Sequence, residues 1–281
     1  MKVTVYSCRS FDEKELFEAY GNRLGIELVL CPDGPDKENA YLAEGSECID
    51  ILTTQMTKEL LKVFAGYGVK YVTTRTIGYD HIDIKAAKEL GMKVANAPYG
   101  PCGVADYTVM LILMTIRKMK RIIERTNIQD YTLKGIQGRE LKDLTVVLNN
   151  LSGFGCRRIA FDLFENEQVK KSGIPYVTLE EMWQQADVIT LHAPLTEENF
   201  HMIGEEAISK MKDGVMIINT ARGGLIDTQA LIAGIEKGKV GGAGLDVVEN
   251  EFELYYYDRK SDILNNRDLA VLRGYPNVTV S

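Results

Sequence analysis

Between Val215 and Asp246 the chain reads VMIINTARGGLIDTQALIAGIEKGKVGGAGLD, an order of residues that few folds accept. Val215–Asn219 is a short apolar run closing on a polar residue, as a buried parallel strand does at its carboxyl end. Residues Thr220 to Gly224 turn the chain. Asp227 is placed to cap a helix running to about Lys237, and Gly238 ends it. Gly241–Asp246 is then a second buried strand. The two strand ends deliver Arg222 and, just past the second, Glu249 and Glu251 to one edge of a sheet. In open α/β sheets that edge is where ligands bind.

The rest of the chain repeats this alternation. Lys2–Tyr6, Ile26–Cys31, Cys48–Thr53, Tyr71–Thr74 and Lys93–Ala97 read as strands, separated by amphipathic stretches at Asp12–Leu24, Asn39–Ala43, Thr57–Phe64 and Ile84–Leu90. Such a series predicts parallel sheets covered on both faces, an α/β fold. With 281 residues the chain suits two domains. Asn96-Ala97-Pro98-Tyr99-Gly100-Pro101 has the Pro/Gly density of a crossing between them, which divides the chain into residues 1–98 and 99–281. One helix is expected from Val104 to about Ile123, apolar on nearly all sides through Ile116 and cationic toward its end.

A net charge of −7 gives a nucleic-acid role no electrostatic support. Five scattered cysteines, never spaced as C-x-x-C, argue for reduced thiols in a cytoplasm rather than disulfides or a zinc site. No metal-ligand spacing occurs elsewhere. The N-terminus enters a strand without a signal-peptide pattern. The most apolar run, Val104–Ile116, is too short to span a bilayer, so no membrane role is expected.

NTARGGLID followed by GLDVV-E-x-E, together with the T-R-x-x-G-x-D-H-I-D segment Thr74–Asp83, resembles the D-isomer-specific 2-hydroxyacid dehydrogenases, most of all the D-lactate dehydrogenases, including those of vancomycin-resistance clusters. The similarity runs in order over nearly the whole chain. It implies a flavodoxin-like substrate lobe over 1–98, a Rossmann-like nucleotide-binding lobe over 99–281, NAD as cofactor, a homodimer, and a small 2-oxo or 2-hydroxy acid as substrate. The implied reaction is hydride transfer between NADH and the C2 carbonyl of a short 2-oxo acid.

Roles follow residue by residue from that resemblance. Arg222 captures the substrate carboxylate and polarises the carbonyl beside it; by itself it reads sooner as a surface cation. Glu251 matches the carboxylate that pairs with a catalytic histidine, whereas Glu249, two residues out of register, reads as a rim residue. Ile77 and Gly78 supply backbone donors to the substrate carboxylate, although a strand-to-helix turn explains the same residues. Tyr99 faces the substrate or packs the hinge. Asp162 binds the adenosine ribose hydroxyls, or is a turn acid after a strand. His192 and Pro194 lie near the nicotinamide ribose, with His192 reading as well as a satisfied histidine at a strand end. Thr220, Ala221 and Asp246 match cofactor-facing positions. His81 reads as structural and His201 as a solvated loop residue.

Two departures from the family pattern stand out. Thr145-Val146 begins the strand that should lead into G-x-G-x-x-G, and Leu151–Cys156 resembles the end of the helix that should follow it. Roughly eleven residues carrying the whole glycine fingerprint are missing between them. Arg157–Phe161 then reads as the next strand, and Thr178-Leu179-Glu180-Glu181 as a capping box opening a helix. At the other departure, Tyr275–Ser281 matches the strand that leads to a Pro-His pair, which the sequence does not include, nor the helix that closes the first lobe. The nucleotide lobe is therefore expected to be incomplete and turnover impaired. The alternatives are a non-catalytic ligand- or partner-binding relative and a defective deletion product.

Overall fold

The computed structural model describes residues 1–98, 100, 102–251, 261–262 and 265–281. The chain divides into two compact units, one over residues 1–100 and the other over the described residues from Cys102 onward.

The first unit is a five-stranded parallel sheet built from β1 (Lys2–Val5), β2 (Glu27–Leu30), β3 (Cys48–Ile51), β4 (Tyr71–Thr74) and β5 (Lys93–Asn96), in the order β2-β1-β3-β4-β5. Its helices are α1 (Lys14–Leu24), α2 (Lys58–Gly66) and α3 (Ile84–Glu89). Thr57 caps α2 by accepting from the Leu60 N–H, and Asp83 caps α3 through Ala86. Phe64, Leu61, Ile49, Ile51 and Met56 are fully buried between helices and sheet.

The second unit holds a six-stranded parallel sheet. Its strands are β6 (Thr145–Val147), β7 (Arg157–Arg158), β8 (Val188–Leu191), β9 (Val215–Asn219), β10 (Val240–Leu245) and β11 (Val278–Val280), ordered β11-β10-β9-β8-β6-β7. From β6 the chain moves one way to β7 and then back to β8. This reversal of strand order is the switch point at which doubly wound sheets bind ligands. Helix α4 (Cys102–Ile116) packs on β9 and β10. α5 (Met119–Asn127), α6 (Glu167–Lys171), α7 (Leu179–Gln185), α8 (Glu205–Lys210), α9 (Thr228–Glu236) and α10 (Arg267–Gly274) complete the layers. The expected capping box at Thr178 and Glu181 is formed, and Asp227 caps α9 through the N–H groups of Gln229 and Ala230.

Two expectations need correction. The single helix over Val104–Ile123 is two, because Lys118 sits in the left-handed region at φ 55° and separates α4 from α5. The Arg139 N–H takes the Ile116 carbonyl at 3.0 Å, so a returning segment supplies the bond that helix continuation would have made. The strand over Arg157–Phe161 is only Arg157–Arg158. Ala160 has already turned away, donating to Pro175 and accepting from Val177 instead of pairing with β6.

Candidate active site

Because all six strands of the second unit are parallel, the residues that follow β6, β8, β9 and β10 gather at one edge of its sheet. The best-built part is the turn after β9. Asn219, fully buried at the end of that strand, accepts the Ala221 N–H on its Oδ1 at 3.0 Å and donates from Nδ2 to the Arg222 carbonyl at 2.8 Å. The closing polar residue of an apolar strand thus folds the Thr220–Arg222 backbone around its own amide, an Asx-type turn. Thr220 is tied to the helix behind it through Oγ1 of Thr108 at 2.8 Å. Ala221 is buried, and Arg222 is half-buried with its guanidinium donating to the Ala221 carbonyl at 2.6 Å.

The next residue fixes the position of this turn. A Cβ added to Gly223 would lie 2.2 Å from the carbonyl carbon and oxygen of Val248, so only glycine lets the two loops touch. The Val248–Glu251 loop is closed by Glu251, whose carboxylate accepts the Val248 N–H at 2.6 Å. Glu249, expected at the rim, is held on both carboxylate oxygens. One of its oxygens lies 2.7 Å from His201 Nε2 and the other takes the N–H and hydroxyl of Thr228. The expectation of a solvated His201 falls with it. Sequence reading missed this pair because 48 positions separate the partners and each stands among polar neighbours.

At the end of β10, burial pushes the Asp246 carboxyl above its ordinary range, against a weak bond from the Ser281 hydroxyl. Beyond β8, His192 Nε2 lies 3.0 Å from Thr190 Oγ1, whose hydroxyl donates to the Val147 carbonyl. His192 keeps much surface in water, yet its ring is crowded by protein atoms, and this desolvation lowers its pKa. Pro194 is exposed, its carbonyl held by Asn199 Nδ2 at 2.7 Å. Asp162 is exposed and accepts the Phe164 N–H at 2.9 Å, the geometry of a turn acid.

The connection from β6 to β7 is the weak member. Leu148–Cys156 contains one 3₁₀ turn over Asn149–Phe154, interrupted by a non-helical Leu151, and falls short of the about ten to twelve residues that such a crossover spans. This connection therefore lacks the full helix whose N-terminus could take a phosphate.

In the first unit, Ile77 and Gly78 follow β4, with Ile77 exposed. His81, buried, lies 3.2 Å from Thr74 Oγ1, in keeping with a structural role. Arg75 beside them is a hub that sequence reading passed over. It pairs with Asp50 at 2.6 Å and Glu13 at 3.1 Å and donates to the carbonyls of Tyr6 and Ser7. Tyr99 lies outside the described residues.

Residues 109–281 match the model of the D-isomer specific 2-hydroxyacid dehydrogenase NAD binding domain. An aromatic 2-oxoacid reductase of Clostridium sporogenes is 41% identical over 295 aligned positions, covering 100% of this chain and 88% of that protein. Among solved structures, the pyruvate reductase of Chlamydomonas reinhardtii superimposes with a TM-score of 0.87 at 32% identity, covering 100% of this chain and 88% of that one. The Aquifex aeolicus D-lactate dehydrogenase, solved with NAD and lactic acid, gives the same score and identity over 99% of this chain and 87% of its own. Two parallel α/β units, the Asn219–Arg222 turn in an NAD-binding domain, and likeness along the full length place this chain in the D-isomer-specific 2-hydroxyacid dehydrogenase family.

Proposed function

We propose that this chain binds NAD and reduces short 2-oxo acids to D-2-hydroxy acids, at a rate held down by its abbreviated β6–β7 connection. The observation carrying the first half is the Asn219 turn, which holds the Thr220–Arg222 backbone in a fixed form at the ligand-binding edge of its sheet. Arg222 presents a planar fork that suits two parallel bonds to a carboxylate and the adjoining carbonyl. As the resemblance has it, the N–H groups of Ile77 and Gly78 in the first unit receive a substrate carboxylate, and Tyr99 faces the acid. Thr220, Ala221, Asp246, His192 and Pro194 hold the nicotinamide end, and Asp162 the adenosine ribose. Glu251, as the resemblance has it, orients the proton-handling group. NAD, when bound, supplies or accepts the hydride.

The second half rests on Leu148–Cys156. Without a helix N-terminus opening toward the pyrophosphate, backbone amides and helix dipole no longer hold it, so the dinucleotide binds loosely. The 295 positions of the C. sporogenes alignment against 281 residues mean that the relative has residues within the span that this chain lacks.

A homodimer accords with α4. Its outer face, with Val109, Met110, Leu113 and Met114, joins Met119 and Phe154 around an open apolar cavity of about 850 Å³. The five unpaired cysteines accord with a reducing cytoplasm, and no described helix is long and apolar enough to cross a membrane.

The test is NADH oxidation with pyruvate and with branched and aromatic 2-oxo acids, followed by chiral analysis of the product. Slow formation of the D-isomer is expected, with a raised KM in Arg222→Lys. A product of L configuration, or turnover insensitive to Arg222→Lys, would overturn the assignment.

A further inference from the structure

Three carbonyls in the Thr76–Gly78 turn are each occupied from inside the first unit. The Ala97 N–H donates to the Thr76 carbonyl at 3.1 Å. Asn96 Nδ2 donates to the Ile77 carbonyl at 2.7 Å, and the Thr76 hydroxyl to the Gly78 carbonyl at 2.5 Å. In a planar trans peptide the N–H points opposite to the carbonyl it follows. Pinning the carbonyls of Thr76 and Ile77 therefore fixes where the N–H groups of Ile77 and Gly78 point. Among the described residues neither N–H meets an acceptor. Two adjacent, oriented, unused donors are what a carboxylate requires. Both pins come from the end of β5, one from backbone and the other from the Asn96 side chain.

We infer that Asn96 is a positioning residue for the 2-oxo acid: it touches no substrate atom and acts by holding the Ile77–Gly78 peptide so that the Gly78 N–H faces the carboxylate. This rests on the reading that Ile77 and Gly78 take that carboxylate. Arg75 fastens the same turn from its other side, through Asp50, Glu13 and the carbonyls of Tyr6 and Ser7. That leaves the 77–78 peptide plane as the adjustable part, and Asn96 as the group that sets it. A donor is needed at this position, so an isosteric acceptor should fail.

The experiment follows the Gly78 amide by ¹H–¹⁵N correlation while the full chain is titrated with oxamate, an unreactive analogue of pyruvate. It is run on the wild type, Asn96→Asp and Asn96→Gln, with thermal unfolding measured on each. Loss of one hydrogen bond predicts oxamate binding about three- to tenfold weaker in Asn96→Asp, with an unchanged melting temperature. Asn96→Gln, which keeps a donor, should recover part of the affinity. Equal affinity in wild type and Asn96→Asp would overturn the role of Asn96 alone. A wild-type Gly78 amide that oxamate does not shift would overturn the carboxylate site itself, and the inference with it.

Discussion

His201 Nε2 lies 2.7 Å from Oε1 of Glu249, and through this contact three segments of the nucleotide-binding unit are held together. His201 also donates its backbone N–H to the Gly224 carbonyl at 2.8 Å, while the second oxygen of Glu249 takes the N–H and hydroxyl of Thr228 at the start of α9. The loop before α8, the Arg222 turn and the Val248–Glu251 loop thus share one polar fastening. His201→Ala should lower stability by about 1–2 kcal/mol, the worth of a hydrogen bond to a charged group that is partly exposed. His201→Gln, which retains a donor, should lose less. Chemical denaturation of the three proteins checks this, and equal midpoints would remove the pair from the account.

Gly223→Ala tests the close approach of the two loops. Its methyl would have to stand 2.2 Å from the Val248 carbonyl, and backbone cannot swing aside as a flexible side chain does. Stability should fall by about 2–3 kcal/mol, as overpacking of a tight site does. A crystal structure of the variant should show the Val248–Glu251 loop displaced. An unmoved loop with wild-type stability would contradict the geometry.

Asp187 predicts a pH dependence. Burial alone would raise its pKa, but the Thr145 N–H, Arg139 and Lys212 outweigh that and hold the carboxyl below the ordinary range. A folded pKa below the unfolded one, near 3.9 for aspartate, means that the charged form stabilises the fold. That contribution is complete above the unfolded value and is lost as pH falls through the folded one. Asp187→Asn should therefore be less stable than wild type by about 1–3 kcal/mol between pH 5 and 8. The gap should narrow below about pH 4. A gap that widens on acidification would reverse the assigned sign.

Much of this was legible in the sequence because parallel strands buried on both faces leave continuous apolar runs. Cys48–Ile51, Val188–Leu191 and Val215–Asn219 are buried along their whole length. Capping residues gave the helix starts at Thr178 and Asp227 for the same local reason. The break at Lys118 was not legible. No glycine or proline marks it, and its cause is a segment arriving from Gly138–Arg139. Arg222 and Gly78 were singled out because their motifs are contiguous, whereas Asn96, Arg75 and His201 act on partners distant in sequence. Physical reading supplied residue types at strand ends, and only packing revealed which of them hold the others in place.

NADH affinity bears most directly on the central claim, that a family dehydrogenase lobe has here lost its hold on the dinucleotide pyrophosphate. Fluorescence titration of NADH should be run on the chain as it is and on a version carrying a glycine-rich loop and full helix between Val147 and Arg157. Loose binding is expected in the former, at least about tenfold tighter binding in the latter, and 2-oxo acid reduction that rises with it. Micromolar NADH binding by the unaltered chain, with turnover near the ordinary enzyme range of about 1–10³ per second, would contradict the account.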